Sequence, residues 1–139
     1  MRTATLFFLI LAAVALFHSF VSAAEQGQQS RIVTATAYTM RPSEISNKKS
    51  KKTACDDHLT PQSKGQTIAV SPDLVKAGLK CGTVVTIEGV SSGFVVTDRV
   101  PGKHRNHIDI YVGDDVQMAK EWSRRKVKIT WTPQTGPDK

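Results

Sequence analysis

Six short runs of β-forming residues, cut apart by Gly, Pro, Asn, Asp and Ser, leave this chain few folds to adopt. The runs are 31–38, 67–70, 83–87, 93–97, 107–112 and 127–131. Segments this short, rich in Val, Ile and Thr and bounded by turn formers, read as strands. In the first, Val33, Ala35 and Ala37 alternate with Thr34, Thr36 and Tyr38, so that one face is apolar. Only two helix patterns interrupt the series. Ser71-Pro72-Asp73 offers a capping side chain and a proline at the first helical position, with Gly78 as the stop. Asp114 and Asp115 open a second short helix with Val116, Ala119 and Trp122 on one face; the basic finish 124–126 suits the helix dipole. Six short strands and two small helices favour a mainly β fold closed into a barrel over a layered sandwich, because closure removes the strand edges.

Upstream of the first run, Arg2, an apolar stretch from Leu6 to Phe20 and the small-residue pattern Val21-Ser22-Ala23 have the three parts of a secretory signal, assigned to 1–23. As a membrane span the stretch falls short of the roughly 20 residues a bilayer needs, so no stable membrane insertion is expected after cleavage. Residues 24–30 read as a Gln-rich flexible arm, 31–131 as one domain and 132–139 as a flexible tail.

Export bears on the two cysteines, Cys55 and Cys81, because disulfides persist outside the cytoplasm. A bridge between them would contribute on the order of 3 kcal/mol; buried free thiols are the alternative. The staple would also tame the long stretch 39–66, which has no apolar period and holds a basic segment, 47–52, read as solvated or as a polyanion contact. A formal net charge of +7 favours an anionic partner. Outside the cytoplasm nucleic acid is the least available of these, and none is expected.

Two aspartates stand in otherwise apolar strands, Asp98 and Asp109. Alternation places Asp109 on one face with His107 and Tyr111, while Ile108 and Ile110 face the other way. Carboxylates close to apolar surface and to each other shift apart in pKa, which lets one hold a proton for general-acid work. The same residues also suit two other readings. Each aspartate could cap a turn or pair with Arg99 or Arg105, or both could join His104 and His107 round a metal ion. No compact two-histidine motif is present, so neither a metal nor another cofactor is expected. His58, beside Asp56 and Asp57, reads as solvated.

The stretches Thr34-Ala-Thr-Ala-Tyr-Thr39, Thr67-Ile-Ala-Val70, Gly82-Thr83, Val95-Val-Thr-Asp98 and His107-Ile-Asp-Ile-Tyr-Val112 resemble the 3D (three-aspartate) domain family. These domains are double-psi β-barrels similar to the catalytic part of membrane-bound lytic transglycosylase A. The most specific element is the His-Ile-Asp-Ile-Tyr block, whose aspartate follows Asp98 by 11 residues. The resemblance implies a six-stranded double-psi barrel with two short helices and a peptidoglycan-binding cleft. It implies lytic transglycosylase chemistry with a 1,6-anhydro product, Asp109 as general acid and base, and Asp98 as the neighbour that tunes it. Thr36, Tyr38, Ser71, Thr97, His107 and Tyr111 fall at substrate-binding positions, and the expected setting is a monomer in the periplasm or outside the cell. Three positions depart from the family pattern: Ser71 replaces the first aspartate, with Asp73 two residues on; Ser123 stands where glycine is common; and Cys81 replaces an apolar residue. Ser71 makes a non-catalytic peptidoglycan-binding or wall-loosening domain the alternative.

Overall fold

The strands close on themselves. A computed structural model describes residues 27–40 and 52–138, so the assigned signal segment and most of the basic segment 47–52 lie outside the described residues. The elements are β1 (Gln29–Tyr38), β2 (Thr67–Val70), α1 (Pro72–Lys76), β3 (Val84–Ile87), β4 (Ser91–Arg99), β5 (His107–Tyr111), α2 (Val116–Trp122) and β6 (Arg125–Trp131), with a 3-10 turn at Pro61–Ser63. Round the barrel the order is β1-β5-β2-β4-β3-β6. The β1–β5 and β2–β4 pairs are parallel and the rest antiparallel.

Adding three to each strand number reproduces this order and the sense of every pair. β1 is thus equivalent to β4, β2 to β5 and β3 to β6, with a local two-fold axis between β2 and β5. Two crossed parallel pairs related in this way are the topology of a double-psi barrel, as the resemblance implies.

Alternation fills the interior. Val33 and Ala35, Ile68 and Val70, Val85 and Ile87, Phe94 and Val96, Ile108 and Ile110, and Ile129 and Trp131 point inward from the six strands and are almost wholly buried. Leu74 and Leu79 plug one end. Trp131 is the largest of the fully buried side chains, and its indole N–H donates to the carbonyl of Ala77 at 3.2 Å, completing the end of α1.

Several boundaries differ from the sequence reading. β1 starts at Gln29 rather than Arg31, because its first residues pair with the end of β6. The basic finish of the second helix belongs in part to β6. Arg125 nevertheless serves the helix end: its guanidinium donates to the carbonyls of Glu121 and Trp122 at 2.7 Å and lies over the Trp122 ring. Ser71 occupies the N-cap position of α1 without making the capping bond; its hydroxyl donates to Asp73 and accepts from the N–H of His107 instead.

The segment expected to be a flexible tail runs back across the barrel. Pro133 packs on Gly78, Gln134 N–H donates to the Gly78 carbonyl, Lys80 reaches the Gly136 carbonyl, and Asp138 accepts from Cys81 N–H and Arg99.

Cys55 and Cys81 form the disulfide, with Cα atoms 5.6 Å apart. It ties the described part of the long loop to the barrel beside β4, where Cys55 N–H donates to the carbonyl of Thr97. Further along, Lys64 pairs with Asp115 at 2.8 Å and Gly65 N–H donates to the Tyr111 carbonyl. His58 is exposed and bridges to Lys52.

Candidate active site

Strand register sets the geometry of the two aspartates. Ala69 of β2 pairs with Asp98 on one side and Asp109 on the other, and Asp109 pairs in turn with Thr36 of β1. Asp98, Ala69, Asp109 and Thr36 therefore form one row across four adjacent strands. Ile108 and Ile110 point into the core, so Asp109 between them faces out. Ala69 is buried but stays outside the core cluster, a small residue set between the two carboxylates. One strand intervenes, which sets the two aspartate Cα atoms about 10 Å apart.

The row is centred on the local two-fold axis. Ala69 and Asp109 are equivalent positions of the two halves, as are Thr36 and Asp98, so an acid faces an alanine across the axis.

Asp109 is held by its own neighbours. The Thr36 hydroxyl donates to its Oδ1 at 2.8 Å and lies 2.9 Å from Nε2 of His107. Because that hydroxyl spends its proton on the carboxylate, Nε2 must be the protonated nitrogen and donate to the threonine oxygen. Burial, reinforced by the positive charges of His104, Arg124 and Lys126, holds His107 below the usual histidine range. The ring is thus a neutral donor, and it orients Thr36 without adding charge beside the acid.

Asp98 is held from further away in sequence. Its Oδ1 accepts the backbone N–H of Ala54 at 2.9 Å and of Arg99 at 2.8 Å. Ala54 precedes the disulfide residue Cys55, so the staple places one of the two donors. A bulge in β4 lets Asp98 face outward: the β2–β4 register steps from Ile68↔Val96 to Ala69↔Asp98, leaving Thr97 unpaired.

Tyr38 follows Thr36 on the same face of β1, and its ring leans on Tyr111 at 5.5 Å. Burial, with the charges of Asp98 and Asp109 next, pushes its phenol well above the usual range, which keeps it a neutral donor. Its hydroxyl is buried and has no hydrogen-bond partner among the described residues; the same is true of Thr67 and Thr97. Buried hydroxyls are normally satisfied. All three lie on strands that form the row.

The structure thus brings Asp98, Asp109, Thr36, Tyr38, Thr97, His107 and Tyr111 into one neighbourhood, and Ser71 borders it through two hydrogen bonds with the backbone of His107. Ser71 is wholly buried, and its hydroxyl joins Asp73 to the start of β5. Asp73 also accepts the N–H of Asn106. Burial raises its pKa, but the Ser71 hydroxyl and the Asn106 N–H outweigh this and leave it below the usual carboxylate range. Sequence reasoning missed Ala69, whose only signal is a small residue in an otherwise bulky strand. Among the described residues no three His, Cys, Asp or Glu side chains gather to hold a metal ion.

No family model matches the chain, and no curated protein matches it. Among solved structures it aligns with the apo expansin of Clavibacter michiganensis at 18% identity and a TM-score of 0.48, and with a point mutant of that expansin in complex with cellohexaose at 16% and 0.46. Each alignment covers 80% of this chain and 53% of the expansin. A point mutant of the E. coli lytic transglycosylase MltA in an apo form aligns at 17% identity and a TM-score of 0.42, over 62% of this chain and 28% of that one. The chain spans about half the length of the expansin. Likenesses this distant decide nothing here; topology and function rest on the chain's own strands and side chains.

Proposed function

We propose that this chain is an exported, monomeric 3D-type domain that cleaves peptidoglycan glycan strands as a lytic transglycosylase, with Asp109 as general acid and base. The observation that supports this most is the row Asp98, Ala69, Asp109, Thr36: two outward carboxylates flank one small residue, and Thr36 holds the second of them.

In this reaction protonated Asp109 gives its proton to the glycosidic oxygen as the bond to the anomeric carbon breaks. Positive charge spreads over that carbon and the ring oxygen. Asp109, now a carboxylate, takes the proton of the sugar's 6-hydroxyl, whose oxygen bonds to the anomeric carbon and closes the 1,6-anhydro ring. The proton returns to Asp109 and no water is consumed. Thr36, backed by His107, fixes one oxygen of Asp109 throughout. Asp98 faces the developing positive charge from the other side of Ala69. Oriented carboxylates of this kind suit oxocarbenium-like transition states.

The test is to incubate the purified chain and its Asp109→Asn form with peptidoglycan and identify the soluble products by mass spectrometry. Anhydro ends from the first and none from the second are expected. Hydrated reducing ends would replace the transglycosylase with a hydrolase.

Ser71 favours a second reading, a non-catalytic wall-binding domain, because the position of the family's first aspartate holds a buried hydroxyl. That reading predicts salt-sensitive binding to sacculi and no new sugar ends.

A further inference from the structure

Beyond His107, along β5 to the side of the row, the surface changes character. A cleft of about 320 Å³ opens between α1 and the turn that leads into β5, lined by Pro72, Asp73, Lys76, Lys103, His104 and Arg105. Lys76, Lys103, His104 and Arg105 are exposed. Among the described residues neither lysine has an ion-pair partner, and Arg105 meets only the field of Asp73. The oxygens of Asp73 are already engaged by Ser71 and Asn106, with Arg31 at 3.8 Å. Asp73 therefore fixes the shape of the cleft, tying α1 to the turn that carries the cations, and leaves their charge in excess. Lys76 on α1 and Lys103 and Arg105 on the turn outnumber Asp73, the one acid of the lining, and such an excess of cations raises the local concentration of anions.

The cleft adjoins the candidate active site. The His104 ring lies 5.0 Å from the His107 ring, and His107 contacts Thr36, which contacts Asp109. His107 and Asp109 share one strand face, about 7 Å apart. A substituent on a sugar unit bound over Asp109 would reach the cleft directly.

From this juxtaposition we infer that Lys76, Lys103 and Arg105 form an anion subsite beside Asp109, taking a carboxylate or phosphate carried as a substituent on the bound glycan. The inference rests on the glycan reading of the row and adds a specificity determinant to it. The cleavage machinery handles the sugar ring, and the cleft selects strands that carry an anionic group next to the bond to be broken. Neutral strands lack the group this cleft pairs with.

Two measurements on the purified chain decide it. In the first, amide NMR spectra are recorded during titration with inorganic phosphate or acetate at constant ionic strength. Saturable shifts at 102–106 and at Lys76 are expected, and they should vanish in the Lys103→Ala/Arg105→Ala variant. In the second, affinity is compared for a neutral N-acetylglucosamine hexamer, a glycan strand bearing peptide stems, the same strand with its carboxylates amidated, and a phosphorylated strand. The double variant should lose about tenfold or more for the anionic strands, as expected for charge-assisted contacts, and less than about twofold for the neutral hexamer. Loss on amidation assigns the carboxylate; preference for the phosphorylated strand with indifference to amidation assigns the phosphate. Absence of saturable shifts with either anion, or equal loss for neutral and anionic strands, overturns the subsite. Failure of every strand to bind would remove the glycan reading, while the anion titration would still decide the cleft.

Discussion

The two carboxylates of the row share a strand partner, yet they are held by different kinds of structure. Asp109 is fixed by the barrel: Thr36 comes from the paired strand, His107 from its own, and both follow from ladder register. Asp98 is fixed by parts added to the barrel: a bulge, the loop residue Ala54, the disulfide beside it, and Arg99, which the tail residue Asp138 holds in turn. The lesson is that the first position resists damage short of unfolding, whereas the second can be loosened while the barrel survives.

The largest expected effect is on the first flank. Asp109→Asn should lower strand cleavage by about a thousandfold, the range in which positioned acids act, with circular dichroism and melting temperature unchanged. Equal activity in the variant would move the acid elsewhere.

The second flank is probed by Cys55→Ser/Cys81→Ser. Stability should fall by about 3 kcal/mol in urea melts. Amide shifts should concentrate at Ala54, Asp98 and Arg99 and spare Thr36 and Asp109. Shifts spread evenly over both flanks would erase the contrast.

A smaller change probes the tail. Gly78 has a φ of +91°, and a Cβ there would stand 2.6 Å from the Cβ of Pro133 and 2.9 Å from its Cα. Gly78→Ala should cost about 2 kcal/mol through strain and displacement of the 132–138 segment. Protease sensitivity confined to that segment would confirm that the tail is the part that yields.

The histidine gives a pH signature. His107 is depressed in the folded chain, so the unfolded chain takes up the proton first as the solution is acidified. Its contribution to stability is present above about pH 6.5 and lost as pH falls through the folded value. His107→Gln, which keeps a donor near Thr36, should remove that part of the acid-side slope in melts between pH 7 and pH 5. An unchanged slope would mean that other groups titrate there.

The smallest effect is a gain. Ser123 sits at φ +51°, ψ −164°, a region that only glycine occupies at ease. Ser123→Gly should add about 1 kcal/mol and leave both flanks alone.

The same contrast governs what could be read from the chain. Short β-rich runs bounded by turn formers gave all six strands, and local alternation gave the outward face of Asp109, because a strand's period is a property of consecutive residues. The disulfide followed from compartment chemistry. The pairing of Asp98 with Asp109 was an expectation from the sequence, but the path between them was not legible, since it runs through Ala69, and the parallel β2–β4 pair that sets it depends on a bulge with no sequence mark. Nor was the donor to Asp98, which lies 44 residues earlier in an irregular loop. Ser71 looked like a helix cap because Ser-Pro-Asp has that pattern, but burial redirected its hydroxyl to β5. Nothing in the sequence singles out Lys76 or Lys103, Arg105 read only as a possible partner of an aspartate, and the fold alone sets the three on one cleft.

The three-step symmetry of the strand order has a consequence for how the chain can be assembled. Each of the six ladders joins a strand from β1–β3 to a strand from β4–β6, and neither set contains a pair of its own. A chain cut in the turn between Ile87 and Ser91 would yield two pieces, neither able to form a native ladder alone, which together could rebuild the barrel. During synthesis the first half has no native sheet to enter until β4 emerges, and each parallel pair waits for a partner distant in sequence. Such long-range closure is slow.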